Sequence, residues 1–109
     1  MTDAEFQTLS TVALEQIRRG LEASASDADI EEKGDGVLEL EFEDGSKIVI
    51  NRHAAAREIW VAARAGGFHF RWDGAVWRDT RSGSELFAAL SKLVSSQGGA
   101  AVLLAPPPA

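Results

Sequence analysis

Cysteine does not occur among the 109 residues, which excludes disulfides, thiolate metal sites and thiol nucleophiles. No apolar run approaches the ~20 residues that a membrane span requires. The opening residues, TDAEFQ after Met1, are acidic and amphipathic, unlike a basic apolar leader or an arginine-rich transit segment. A cytoplasmic location without membrane contact is therefore expected. The chain has no G-x-S-x-G elbow to single out a serine, and Gly66-Gly67 lacks the following helix of a phosphate-cradling loop. These absences predict a protein that is not an enzyme. Proline is confined to positions 106–108, where the chain can only be extended, so residues 1–104 are expected to form one domain and 105–109 a disordered tail.

An apolar content of 45% is ordinary for a globular domain of this length. The net charge of −6 is unevenly distributed. Residues 1–44 carry 13 acidic side chains against Arg18, Arg19 and Lys33, whereas residues 45–109 carry 4 acidic against 8 basic. A dipolar domain suits cations or basic protein surfaces at one end. With no dominant basic stripe, nucleic acid is not an expected partner.

Val37 to Glu43 alternates, with Leu38, Leu40 and Phe42 on one face and three glutamates on the other, the period of a half-buried strand. Asp44-Gly45 suits a two-residue type I′ turn, after which Lys47 to Asn51 returns with Ile48 and Ile50 on the buried face. Glu58 to Ala62 reads as a further strand with Ile59 and Val61 inward, which leaves Trp60 outward beside Val49 and Asn51. A turn at Ala63 to Gly67 leads to a strand with Phe68 and Phe70 inward and His69 outward. Asp73-Gly74 and a short strand over Val76 to Asp79 complete the meander, with Trp77 inward and Arg78 outward in one reading and the reverse in the other. Ile30 and its flanking acids form an edge strand guarded by charge.

Thr2 and Glu5 make a capping box for an amphipathic helix with Phe6, Leu9, Ala13, Ile17 and Leu21 on one face. Ser82 to Glu85 reads as a second box, opening a helix that Gly98-Gly99 ends. Beyond it, Val102 to Leu104 is apolar enough to dock. The order predicts an α+β fold, a two-layer α/β sandwich with the N- and C-terminal helices on one face of an antiparallel sheet of five to six strands.

The run GVLELEFEDGSKIVINR, followed by Ile59-Trp60, GGFHF and RSG after Trp77, resembles the frataxin family in its bacterial form from about Glu5 to Gln97. The resemblance implies the same sandwich and a role as an iron-binding regulator or adaptor of iron-sulfur cluster assembly, with a cysteine desulfurase and an iron-sulfur scaffold protein as partners. The rival expectation is an iron store or ferroxidase-like protein. Iron, ferrous or ferric, would be weakly bound along an acidic ridge of the first helix and first strand. Onto this chain the ridge maps as Asp3, Glu15, Glu22, Asp27, Asp29, Glu31 and Glu32. Arg18, Arg19 and Ala23-Ser24-Ala25-Ser26 stand where bacterial relatives commonly carry acids, so the ridge is thinned and Coulomb repulsion weakens it further. A monomer is expected, with iron-driven oligomers left open.

The partner surface is expected on the sheet's outer face, at Asn51, Trp60 and His69, with Glu39 and Glu41 beside them and Arg52, Arg57 and Arg71 as a basic rim. His53 and His69, one on a loop and one on a strand, could share a metal only if the fold brings them together.

Overall fold

A computed structural model describes residues 1–24 and 26–106. Its elements run α1 (Asp3–Glu22), β1 (Asp29–Glu32), β2 (Val37–Glu41), β3 (Lys47–His53), β4 (Glu58–Ala63), β5 (Gly66–Trp72), β6 (Trp77–Asp79) and α2 (Leu86–Gly98). The six strands form one sheet in sequential order, with every neighbouring pair antiparallel. Both helices cover the same face, so the α+β sandwich expected from the sequence is the fold observed.

The inner face follows the alternation. Leu40, Ile48, Ile50, Ile59 and Phe70 are fully buried against Phe6 and Ile17 of α1 and Leu86, Phe87 and Leu90 of α2. Each such side chain contributes about 1.5–3 kcal/mol relative to exposure. Trp77 lies inward and packs edge-to-face with Phe6 and Trp72. The Thr2–Glu5 capping box is present, with both reciprocal hydrogen bonds made.

Local turn chemistry departs from the expectation at two places. Asp44-Gly45 is not a type I′ turn, because among the described non-glycine residues only Arg57 has positive φ. Instead Glu43, Asp44 and Gly45 form a three-residue connection in which Gly45 alone is left-handed, and its N–H donates to the Phe42 carbonyl. Asp44 accepts from the N–H and hydroxyl of Ser46, which stabilises that longer turn. At α2 the cap is Glu85 itself, whose carboxylate accepts from the Phe87 and Ala88 N–H groups, and not Ser82. Two boundaries also move: Gly66 and Gly67 belong to β5 and His53 to β3.

The C-terminal segment docks with two apolar side chains where up to three were expected. Val102 and Leu104 are buried while Leu103 is 88% exposed, because an extended chain turns alternate residues away. Hydroxyls one turn apart on α2 hold the backbone: Ser95 accepts from Val102 N–H and Ser91 from Leu104 N–H. Leu104 fills the notch above Gly20, where a Cβ would lie 2.9 Å from its Cδ2. The Ala105 carbonyl accepts from Gln16, Pro106 lines an apolar groove with Val12 and Trp72, and the rest of the expected tail, 107–109, lies outside the described residues.

Candidate functional site

The outer face of the sheet is uncovered by either helix and is crossed by a row in register: Val37, Asn51, Trp60 and His69 on four successive strands. Parity alone places Trp60 here, and the structure leaves its indole half-buried. The burial comes from its neighbours on this face. The His53 imidazole stacks on the indole with centroids 3.7 Å apart and planes within 12°, and the His69 imidazole stacks at 4.5 Å and 11°. Since β3 and β5 flank β4, the two imidazoles approach from opposite sides. They share the indole and not a metal.

Glu58 completes this cluster and was not among the residues singled out from sequence. It is 6% exposed although it points to the outer face. Its Oε1 accepts the Trp60 indole N–H at 2.9 Å and lies 3.6 Å from His69 Nδ1, while Oε2 accepts from Arg71 at 2.8 Å. Burial pushes the Glu58 carboxyl up, but the hydrogen bonds from Trp60 and Arg71 outweigh it and hold it below the ordinary value. The available signal was parity, since Glu58 shares the face of Trp60. Beside the indole, Val49, Asn51, Ala62, Gly67 and His69 enclose a shallow hollow of about 230 Å³ with Trp60 as one wall.

The basic rim is only partly as expected. Arg71 lies on the outer face, but Arg52 faces the helices: its side chain is 7% exposed and donates to Ser10, Thr11 and Asp35. Its register partner is the inward Ile59, so parity excludes it from the rim. Arg57, left-handed at φ 53°, ties the β3–β4 loop to Asp3 and to the Met1 carbonyl.

That pairing removes Asp3 from the rest of the expected metal ridge. Asp3 and Glu22 sit at opposite ends of α1, about 28 Å apart along the axis at 1.5 Å per residue. Glu15, Glu22 and Glu32 do converge, but on a guanidinium. Arg18 contacts Glu15 and Glu22 at 2.5 Å and lies 3.7 Å from Glu32, and Arg19 also binds Glu15. Arg18 is held protonated far above its ordinary range, first by Glu15 and then by Glu22. Glu31 pairs with Lys33, and Glu39 with Lys47.

A different group of carboxylates makes no close ion pair among the described residues, although Glu41 faces Lys47 across the strand pair. Asp27, Asp29, Glu41 and Glu43 line one shallow groove at the β1–β2 edge, and none of them joins an ion pair among the described residues. Asp29 and Glu41 are direct cross-strand partners, a like-charge arrangement that costs stability. Among the described residues, no three carboxylates or imidazoles converge closely enough to ligate one ion. The carboxylate oxygens of the groove are hard donors.

Residues 1–100 match the frataxin-like domain. The chain belongs to the frataxin family. Within it, the chain is 59% identical over 104 residues to the iron-sulfur cluster assembly protein CyaY of Dechloromonas aromatica, covering 95% of this chain and 99% of that one. It is 56% identical over 107 residues to the protein of the same name in Cupriavidus necator, covering 95% and 96%. The solved structure of the frataxin from Psychromonas ingrahamii superposes with a TM-score of 0.87 at 33% identity, covering 94% of this chain and 97% of that one. As a member of the frataxin family the protein is non-enzymatic. No helix among the described residues is long and apolar enough to cross a membrane.

Proposed function

We propose that the protein is a non-catalytic adaptor and regulator of iron-sulfur cluster assembly that docks through its outer sheet face on a cysteine desulfurase and the iron-sulfur scaffold, in the cytoplasm. The observation that carries this reading is the near full-length likeness to proteins named for that assembly. The local support is an aromatic side chain held by a buried carboxylate and two imidazoles on a face no helix covers. Aromatic side chains in such settings supply much of the energy of protein interfaces.

Iron is the cargo or the signal in this reading, and it is held loosely. The donors best suited to it are Asp27, Asp29, Glu41 and Glu43, because the helical carboxylates Glu15 and Glu22 already hold Arg18. A hydrated ion there would also relieve the repulsion between Asp29 and Glu41. The acids of β1 and β2 would then meet a basic partner surface on one side of Trp60, and Arg71 an acidic one on the other.

The test is affinity capture from an extract of the source cells, with wild type and Trp60→Ala as baits. Co-capture of a cysteine desulfurase by wild type alone is the expected result. Iron-dependent oxygen consumption by the purified protein, without such capture, would favour the storage or ferroxidase rival.

A further inference from the structure

Glutamate is seldom buried, and a carboxylate taken from water is costly unless it is paired. Glu58 is nevertheless 6% exposed on a face where rotation of its side chain would reach solvent. Its two oxygens are divided between tasks. Oε2 is secured by Arg71, and Oε1 is thereby aimed at the Trp60 indole N–H, with His69 Nδ1 nearby. An ion pair with Arg71 alone would not require the second contact, and an indole N–H on an open face could bond to water.

We propose that Glu58 is the positioning residue of this surface: its carboxylate, secured by Arg71, fixes the Trp60 indole in one plane so that its edge is presented to a partner already oriented. The imidazoles of His53 and His69 cover the two indole faces, so the exposed part of Trp60 is its rim and not a stacking surface. The partner that fits is accordingly a protein surface packing against an aromatic edge, and not a cation or a proline ring stacked on the indole. This deepens the reading of the outer face as a docking surface and rests on it. Immobilising the side chain before docking lowers the entropy lost in the complex.

The experiment has one arm that needs no partner. In the isolated protein labelled with nitrogen-15, the indole N–H signals of the three tryptophans are compared in wild type, Glu58→Gln and Glu58→Leu. Glu58→Gln keeps one acceptor oxygen for the indole but sets an amide NH2 against Arg71, so its Trp60 signal should lie between those of wild type and Glu58→Leu. Glu58→Leu should shift it, broaden it and hasten exchange while core amides stay in place. In the second arm, dissociation from immobilised desulfurase should be roughly three- to tenfold faster for Glu58→Leu and intermediate for Glu58→Gln, with association little changed. If Glu58→Leu fails to fold, Arg71→Leu, which frees Oε2 at an exposed position, should produce the same indole broadening. An unmoved Trp60 signal in a folded Glu58→Leu or Arg71→Leu protein overturns the proposal, as does dissociation at the wild-type rate. Wild type that does not bind desulfurase at all overturns the docking reading, and the indole signal still decides whether Glu58 holds Trp60.

Discussion

Arg18 reaches Glu22 one turn further along α1, at 2.5 Å, and so places a positive charge in the middle of the carboxylate series. Removing it should uncover a second cation site. In wild type, paramagnetic broadening by ferrous iron should start at Asp27, Asp29, Glu41 and Glu43. In Arg18→Gln it should extend to Glu15, Glu22 and Glu32, with apparent affinity increased several-fold and suppressed by salt. Broadening that starts on α1 in wild type would show that the guanidinium does not block the ridge.

Trp60→Ala should weaken binding to a desulfurase by roughly 2 kcal/mol or more, as loss of an interface hot spot does. Its cost in stability should stay below the roughly 3–5 kcal/mol of a truncated core tryptophan, because the indole is only half-buried. Thermal unfolding and binding isotherms of the one variant separate these effects. A collapse in melting temperature would assign Trp60 to the core.

Gly67→Val tests the hollow beside the indole without touching the aromatic cluster. A Cβ at Gly67 meets nothing within 4 Å, and the backbone there lies outside the left-handed region. The variant should melt near wild type yet bind its partner at least roughly tenfold more weakly, since a branched side chain would occupy space a tightly packed interface requires. Full affinity would mean that the partner does not enter the hollow.

The C-terminal segment should divide in its effect on stability. Deleting residues 107–109 should leave the melting temperature nearly unchanged. Deletion from Val102 onward removes two buried aliphatic side chains, each worth about 1.5–3 kcal/mol, and should lower it by roughly 10 °C or more. Equal melting of the two truncations would contradict the docking of Val102 and Leu104.

Acid should destabilise the fold chiefly between about pH 4 and pH 2. Asp73 is lowered to about 2 by the Val76 and Ala75 N–H groups and then Arg78, and Asp44 to about 2 by the Ser46 hydroxyl and N–H and then Arg64. A carboxyl with a depressed folded-state value stabilises fully above its unfolded value, and that stabilisation is lost as pH falls through the folded value. Asp73→Asn should therefore melt lower at neutral pH and show a shallower decline over this window. A parallel decline in both proteins would remove Asp73 as a cause.

Parity makes most of the sheet legible in the sequence, because strict alternation over Leu38–Phe42, Ile48–Ile50, Ile59–Val61 and Phe68–Phe70 leaves one assignment of faces. The same argument, carried one residue further on each strand, would have turned Arg52 inward and brought Glu58 to the face of Trp60. Other features lay beyond pattern. Whether Asp44-Gly45 closes a two- or three-residue turn depends on which residue takes positive φ, and the dipeptide suits both.

The sequence by itself determined the sandwich, the placement of Trp60 on the outer face and the segregation of charge, since alternation, helical periodicity and composition are properties of the chain alone. Only the tertiary structure decided which charges meet. Arg18 joins α1 to Glu32 of β1, Arg57 joins Asp3 across 54 positions, and Glu58 gathers Trp60, His69 and Arg71 from two strands. Those contacts arise where long side chains from separate elements come within a few ångströms, and spacing along the chain carries no record of that distance.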